Sequence, residues 1–190
     1  MTRAIRPRLA AVVVAVGGLA IAGWGIAVTA LTVTTRIDAV APAGATLLLL
    51  GLLGLALDCP WLRRSPAGEG AAITIVGTLV FALGQALATF GSSDLGTTIV
   101  FPGVLAMIVG TVLLATGLAR EDHVPRKVVV ALVVTALSLA GFNRGGFFVL
   151  ATVPYGLAWT ALGAVLVVDP GPLYGSGQTP DGEKDQDSPG

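Results

Sequence analysis

The sequence predicts an all-α membrane protein of six transmembrane helices followed by a disordered tail. The first ground is composition: 54% of the 190 residues are hydrophobic and 12% charged, about half the charged share of roughly 25% in a soluble domain. The second is distribution. Mean hydropathy is +0.87, and the apolar residues recur in separate runs from Leu9 to Val168 rather than in one block. The third is run length, close to the ~20 residues a helix needs to cross hydrocarbon, where no solvent can pair a free backbone group.

The runs place spans at about 9–33, 40–57, 71–90, 97–119, 126–142 and 147–168, with an acidic cytoplasmic tail at 169–190. The first follows Arg3, Arg6 and Arg8, and the second stops at Asp58, Cys59 and Pro60. Ser65 to Gly70 reads as a polar link into the third span, and the cluster from Arg120 to Lys127 separates the fourth from the fifth. The fifth is the shortest, so Arg126 and Lys127 are expected to snorkel toward the headgroups. Ala20-Ile21-Ala22 also resembles a signal cleavage site, but the apolar run continues beyond it, which suits a retained span. After Val168 the Asp-Pro-Gly-Pro sequence breaks the helix, and a Gly-, Pro- and Asp-rich remainder cannot bury a core.

Basic residues near span ends stay on the cytoplasmic side. Alternate loops put Arg3, Arg6, Arg8, Arg63, Arg64, Arg120, Arg126, Lys127 and Lys184 on one face, against Arg36 and Arg144 on the other. The expected location is therefore a cell membrane, multi-pass, with both termini cytoplasmic. Phe90, Phe101, Phe142, Phe147 and Phe148 would form an interfacial belt at the outer boundary. Two lysines against nine arginines, with Ala, Gly, Val and Leu dominant, suggest a prokaryotic source of high genomic GC content.

Even-numbered spans share a pattern: Pro42 with Gly51, Pro102 with Gly110, and Pro154 with Gly163. Two readings stand. The chain is three copies of a helical hairpin around a pseudo-symmetry axis, or the prolines mark first helical turns and the glycines align by chance. Small residues four apart, such as Ala11 and Ala15, Ala82 and Ala86, Gly84 and Ala88, Ala106 and Gly110, and Ala115 and Ala119, point to close helix packing within the chain or between chains.

The inventory of reactive groups is short. Formal net charge is zero, so nothing marks a nucleic-acid surface. Cys59 is the only cysteine and His123 the only histidine, which removes cysteine-based metal sites and leaves no serine–histidine pair on one face. No catalytic residue, cofactor or metal ligand is expected, and the chain is read as not an enzyme. The polar or pocket-forming positions that stand out are Gln85, Arg144, Asp38, Asp94, Trp24 and Trp159. Gln85 is an amide deep in a span, expected to bond between helices. Arg144 is a surface turn residue, or an embedded charge partnered by Asp38 or Asp94. Trp24 and Trp159 fill packing space or line a pocket. Thr29, Thr46, Thr78, Thr111, Thr135, Ser138 and Thr160 are expected to bond back to their own helices.

The function these readings favour is a non-enzymatic subunit or scaffold of a membrane complex. The alternative is a small transporter or the substrate-binding membrane subunit of an importer. Partners are the lipid bilayer and other membrane subunits or further copies of the chain.

Overall fold

The computed structural model describes residues 2–30, 39–59, 62, 66–91, 93–120, 124–141 and 147–169. All their regular elements are helical: α1 (Thr2–Ala30), α2 (Val40–Asp58), α3 (Ala67–Phe90), α4 (Ser93–Arg120), α5 (Arg126–Ser138) and α6 (Thr152–Val168), with 3-10 segments at Leu139–Gly141 and Phe147–Ala151. Asp38, Arg144 and the tail beyond Asp169 lie outside the described residues.

Five helices, α1 to α4 and α6 with the end of its preceding 3-10 segment, are long and apolar enough to cross a membrane. The sixth expected span falls on α5, which has 13 residues. Its α-geometry ends where the Leu139 N–H turns to the carbonyls of Ala136 and Leu137, tightening the coil. With Leu139–Gly141 added, the segment is about 26 Å long at rises of ~1.5 and ~2.0 Å, against about 30 Å of hydrocarbon.

Three helices start earlier than the expected spans, α1 at Thr2 rather than about 9, and then α3 and α4. Ser65 to Gly70 reads as a polar link, yet α3 begins at Ala67, with Gly70 pressed against the backbone of Leu113 and Leu114. Likewise α4 begins at Ser93 and packs Gly96 on Ala88. Pro42 and Pro154 do occupy first turns, but Pro102 lies well inside α4, on an exposed face, so first-turn preference does not account for all three.

What holds these helices together is backbone approach at small residues, the expected means of association where lipid is as apolar as any side chain. In the α1–α2 pair a methyl on Gly17 would sit 2.5 Å from the Leu48 nitrogen, and one on Gly51 would sit 2.6 Å from that of Val14. The α3–α4 pair repeats this: a methyl on Gly77 would lie 2.6 Å from the Met107 nitrogen, and Gly110 lies against Thr74. Gly44 on Ile21 and Gly103 on Phe81 are again matched. The next face of α1 receives α6, with Gly156 against Gly18 and Ala22, and Gly163 against Ala11 and Ala15. Each pair is antiparallel, since numbering rises along one helix as it falls along the other.

All described glycines that press on another helix do so within α2–α1–α6 or within α3–α4. The bundle is thus two bodies zipped to backbone contact. Between them lies a seam filled by side chains, with α2 meeting α3 along it and α5 bridging α4 to α6.

Replacing Gly77 by alanine should cost about 1–3 kcal/mol, the usual penalty for overpacking. Gly23 is exposed with open space around its missing methyl, so Gly23→Ala should be neutral or slightly stabilising on helix propensity. Thermal or SDS unfolding of the two variants measures the contrast, and equal effects would contradict this packing scheme.

Candidate functional site: the buried polar seam

At about 100° per residue, positions one on from a zipped glycine line a face roughly a quarter-turn round the helix. On α4 that face carries Val104, Thr111 and Leu118; on α6 the buried face is set by the positions one before Gly156 and Gly163, Tyr155 and Leu162, with Trp159 and Leu166, all of them buried. The two faces meet where the Thr111 hydroxyl and the Tyr155 hydroxyl share a hydrogen bond of 3.1 Å. The Trp159 ring stands edge-on to Tyr155, with centroids 6.1 Å apart and planes at 70°, an arrangement favoured by the aromatic quadrupoles. The corresponding face of α3 carries Thr78, Ala82 and Gln85, also buried.

Thr111 therefore departs from the expected back-bonding, and Thr160 adds a bond to the Ala15 carbonyl of α1 to the one it makes with Gly156. Thr29, Thr46, Thr78 and Thr135 bond along their own helices as expected, and Ser138 does so while also reaching the Ala151 carbonyl. Tyr155 escaped the sequence reading. Its signal was a phenol placed a third of the way along an apolar run, which needs a partner when buried.

Gln85 is 1% exposed, and its Nε2 has no hydrogen-bond partner. The interhelical bond expected of it is not formed by that atom. Trp159 is fully buried, and its Nε1 is likewise unpartnered. These two donors belong to different bodies, Gln85 to α3–α4 and Trp159 to α2–α1–α6. Thr89, one turn beyond Gln85, has an unpartnered buried hydroxyl. Trp24 does not join them: it packs in a separate cluster with Ala41 and Val149, its Nε1 also unpartnered. Asp94 is exposed in the first turn of α4, where a carboxylate suits the helix N-terminus, and so stands apart from the seam.

A concavity of about 440 Å³ opens between the end of α2 and the start of α3, lined by apolar side chains with Glu69 among them. Beside this end of α2 the Cys59 thiol is fully buried. Its pKa is pushed up to about 12, first by burial and then by the neighbouring Asp58 carboxylate. Among the described residues no three His, Cys, Asp or Glu side chains gather to hold a metal ion. No protein-family model, curated protein or solved structure matches the chain.

The raised thiol pKa fixes a sign. The unfolded chain releases the proton near the ordinary thiol value and the folded chain only near 12, so stability from this group is intact below about pH 9 and declines from there toward 12. At pH 8 a maleimide should leave Cys59 unmodified in the folded protein and modify it fully after SDS unfolding. Rapid labelling of the native protein would contradict the burial.

Proposed function

We propose that the chain is a non-enzymatic subunit of a complex in the cell membrane, crossing six times with both termini on the cytoplasmic side. The observation that carries this reading is the short α5. A helical segment of about 26 Å cannot match about 30 Å of hydrocarbon, and such mismatch is relieved by thinning the bilayer, by snorkelling, or by association with another protein. Arg126 and Lys127 are exposed at its start, which supports snorkelling there, while Val130, Val134 and Leu137 leave an apolar outer face to be covered.

The count of six is supported by direction. Both α2 and α6 run opposite to α1, and α4 runs opposite to α3. With α3 returning from α2, the heads of α4 and α6 share one end of the bundle, so α5 must carry the chain back across it. Orientation rests on the uneven distribution of Arg and Lys. The matched contacts of Gly17 and Gly77, Gly51 and Gly110, and Gly44 and Gly103 support a duplicated hairpin for the first four helices. The third hairpin departs from that scheme, because α6 zips to α1 rather than to α5.

Extracted in mild detergent from its source membrane, the 19.1 kDa chain should migrate within a larger complex of fixed stoichiometry. A Val134→Trp variant should fall out of that complex while keeping its own thermal transition. Migration as a monomer, or a complex indifferent to Val134, would overturn the subunit reading. The buried donors of the seam favour a second reading, a solute-binding membrane subunit.

A further inference from the structure

We propose that the groove between α2 and α3 holds one acyl chain of a phosphatidylethanolamine, with the ammonium of its headgroup at the Glu69 carboxylate. The groove follows from a difference between two equivalent helix faces. On α1 the stripe of Ala11, Ala15, Gly18, Ala22 and Gly25 consists of alanine and glycine alone, and it zips to α6. Sixty residues on, the same stripe of α3 reads Ala71, Ile75, Thr78, Ala82 and Gln85. Ile75, Thr78 and Gln85 stand where α1 has Ala15, Gly18 and Gly25, and no described glycine brings α2 to backbone contact with α3. The two helices are held apart by side chains, and toward the end of α2 a concavity of about 440 Å³ remains.

Its walls include Ala56 of α2 and Ala71, Ala72 and Ile75 of α3. Ala72 is exposed, as are the neighbouring Leu57 and Val76, so the groove opens on the surface that faces lipid. Left empty, it would forfeit dispersion contacts along both walls. Another transmembrane helix is too thick to fill it, since three turns of a helix about 10–12 Å across displace more than about 1,000 Å³. An acyl chain is slender and is already present as solvent. Glu69 is exposed in the first turn of α3, at the end of the span where headgroups lie, and Ile75 is about 9 Å deeper at the helical rise of about 1.5 Å per residue. Among the described residues Glu69 is the one charged side chain lining the groove. An ionised carboxylate only accepts, at about four lone-pair sites, so it can take an ammonium alongside any partner within the protein. Phosphatidylglycerol brings net negative charge to that carboxylate, and the quaternary nitrogen of choline has no N–H to donate. Ethanolamine meets both conditions.

Native mass spectrometry of the full chain tests this, with the protein in mild detergent offered equal amounts of palmitoyl-oleoyl phosphatidylethanolamine, phosphatidylcholine and phosphatidylglycerol. One ethanolamine lipid per chain should survive activation that strips the others, in about fivefold excess over either competitor, the effect of one charge at the membrane surface. Glu69→Gln should keep a bound lipid and lower that preference below about twofold, because the amide lacks the charge. Ala72→Phe places a ring in the groove and should lose the retained lipid, whereas Leu105→Phe, at an exposed position of α4, should keep it. Melting of Ala72→Phe at the parent temperature in lipid-free detergent confirms that it folds. Absence of a retained lipid, retention of either competitor as well as the ethanolamine lipid, an unchanged preference in Glu69→Gln, or a lipid still held by Ala72→Phe would overturn the proposal.

Discussion

The approach of one helix backbone to another at glycine is the constraint on which this bundle depends. In water, apolar faces are driven together by burial, but in hydrocarbon a leucine gains little by leaving lipid for protein. What remains is the sum of many weak dispersion contacts, each falling steeply with distance. Gly17, Gly18 and Gly25 let α1 take α2 on one face and α6 on the next, and Gly70, Gly77 and Gly84 let α3 take α4. The exposed leucines and valines, such as Leu9, Val16, Leu50, Leu83 and Val109, point the other way.

That constraint divides the molecule. A helix pair zipped through glycine has little freedom, because any side chain added between the backbones meets main-chain atoms rather than flexible ends. The seam instead holds the side chains of Thr111, Tyr155 and Trp159. Polar groups are admitted where packing is through side chains. A neutral hydrogen bond such as that between Thr111 and Tyr155 contributes about 0.5–2 kcal/mol in a membrane interior, enough to bias two bodies toward one arrangement and too little to lock them.

Much of this was legible in the residues. The boundaries of α2 follow from Asp58 and its neighbours, and Gln85 and Trp159 stood out as polar-tipped groups within apolar runs. The early starts of α3 and α4 were hidden because the polar and glycine residues ahead of each apolar run read as a link, whereas Gly70 and Gly96 lie against the neighbouring helix. Composition could not show that α5 loses its α-geometry at Leu139, since that depends on which carbonyl a single N–H selects. Nor could it show which faces meet. Ala11 and Ala15 proved to pack on Gly163 within the chain, and Tyr155 found Thr111 across 44 positions of sequence. Trp24 and Trp159 looked alike as residues, but only Trp159 borders the seam.

The central claim is that the helices form two rigid bodies meeting at a deformable seam. Paired spin labels on lipid-facing positions measure this directly, through the width of the distance distribution in a bilayer. Labels at Val16 of α1 and Leu157 of α6 share one body, and labels at Val16 and Val109 of α4 lie on different bodies; all three parent residues are exposed. The account predicts a narrow distribution for the first pair and a broad or two-peaked one for the second. Distributions of equal width would contradict it.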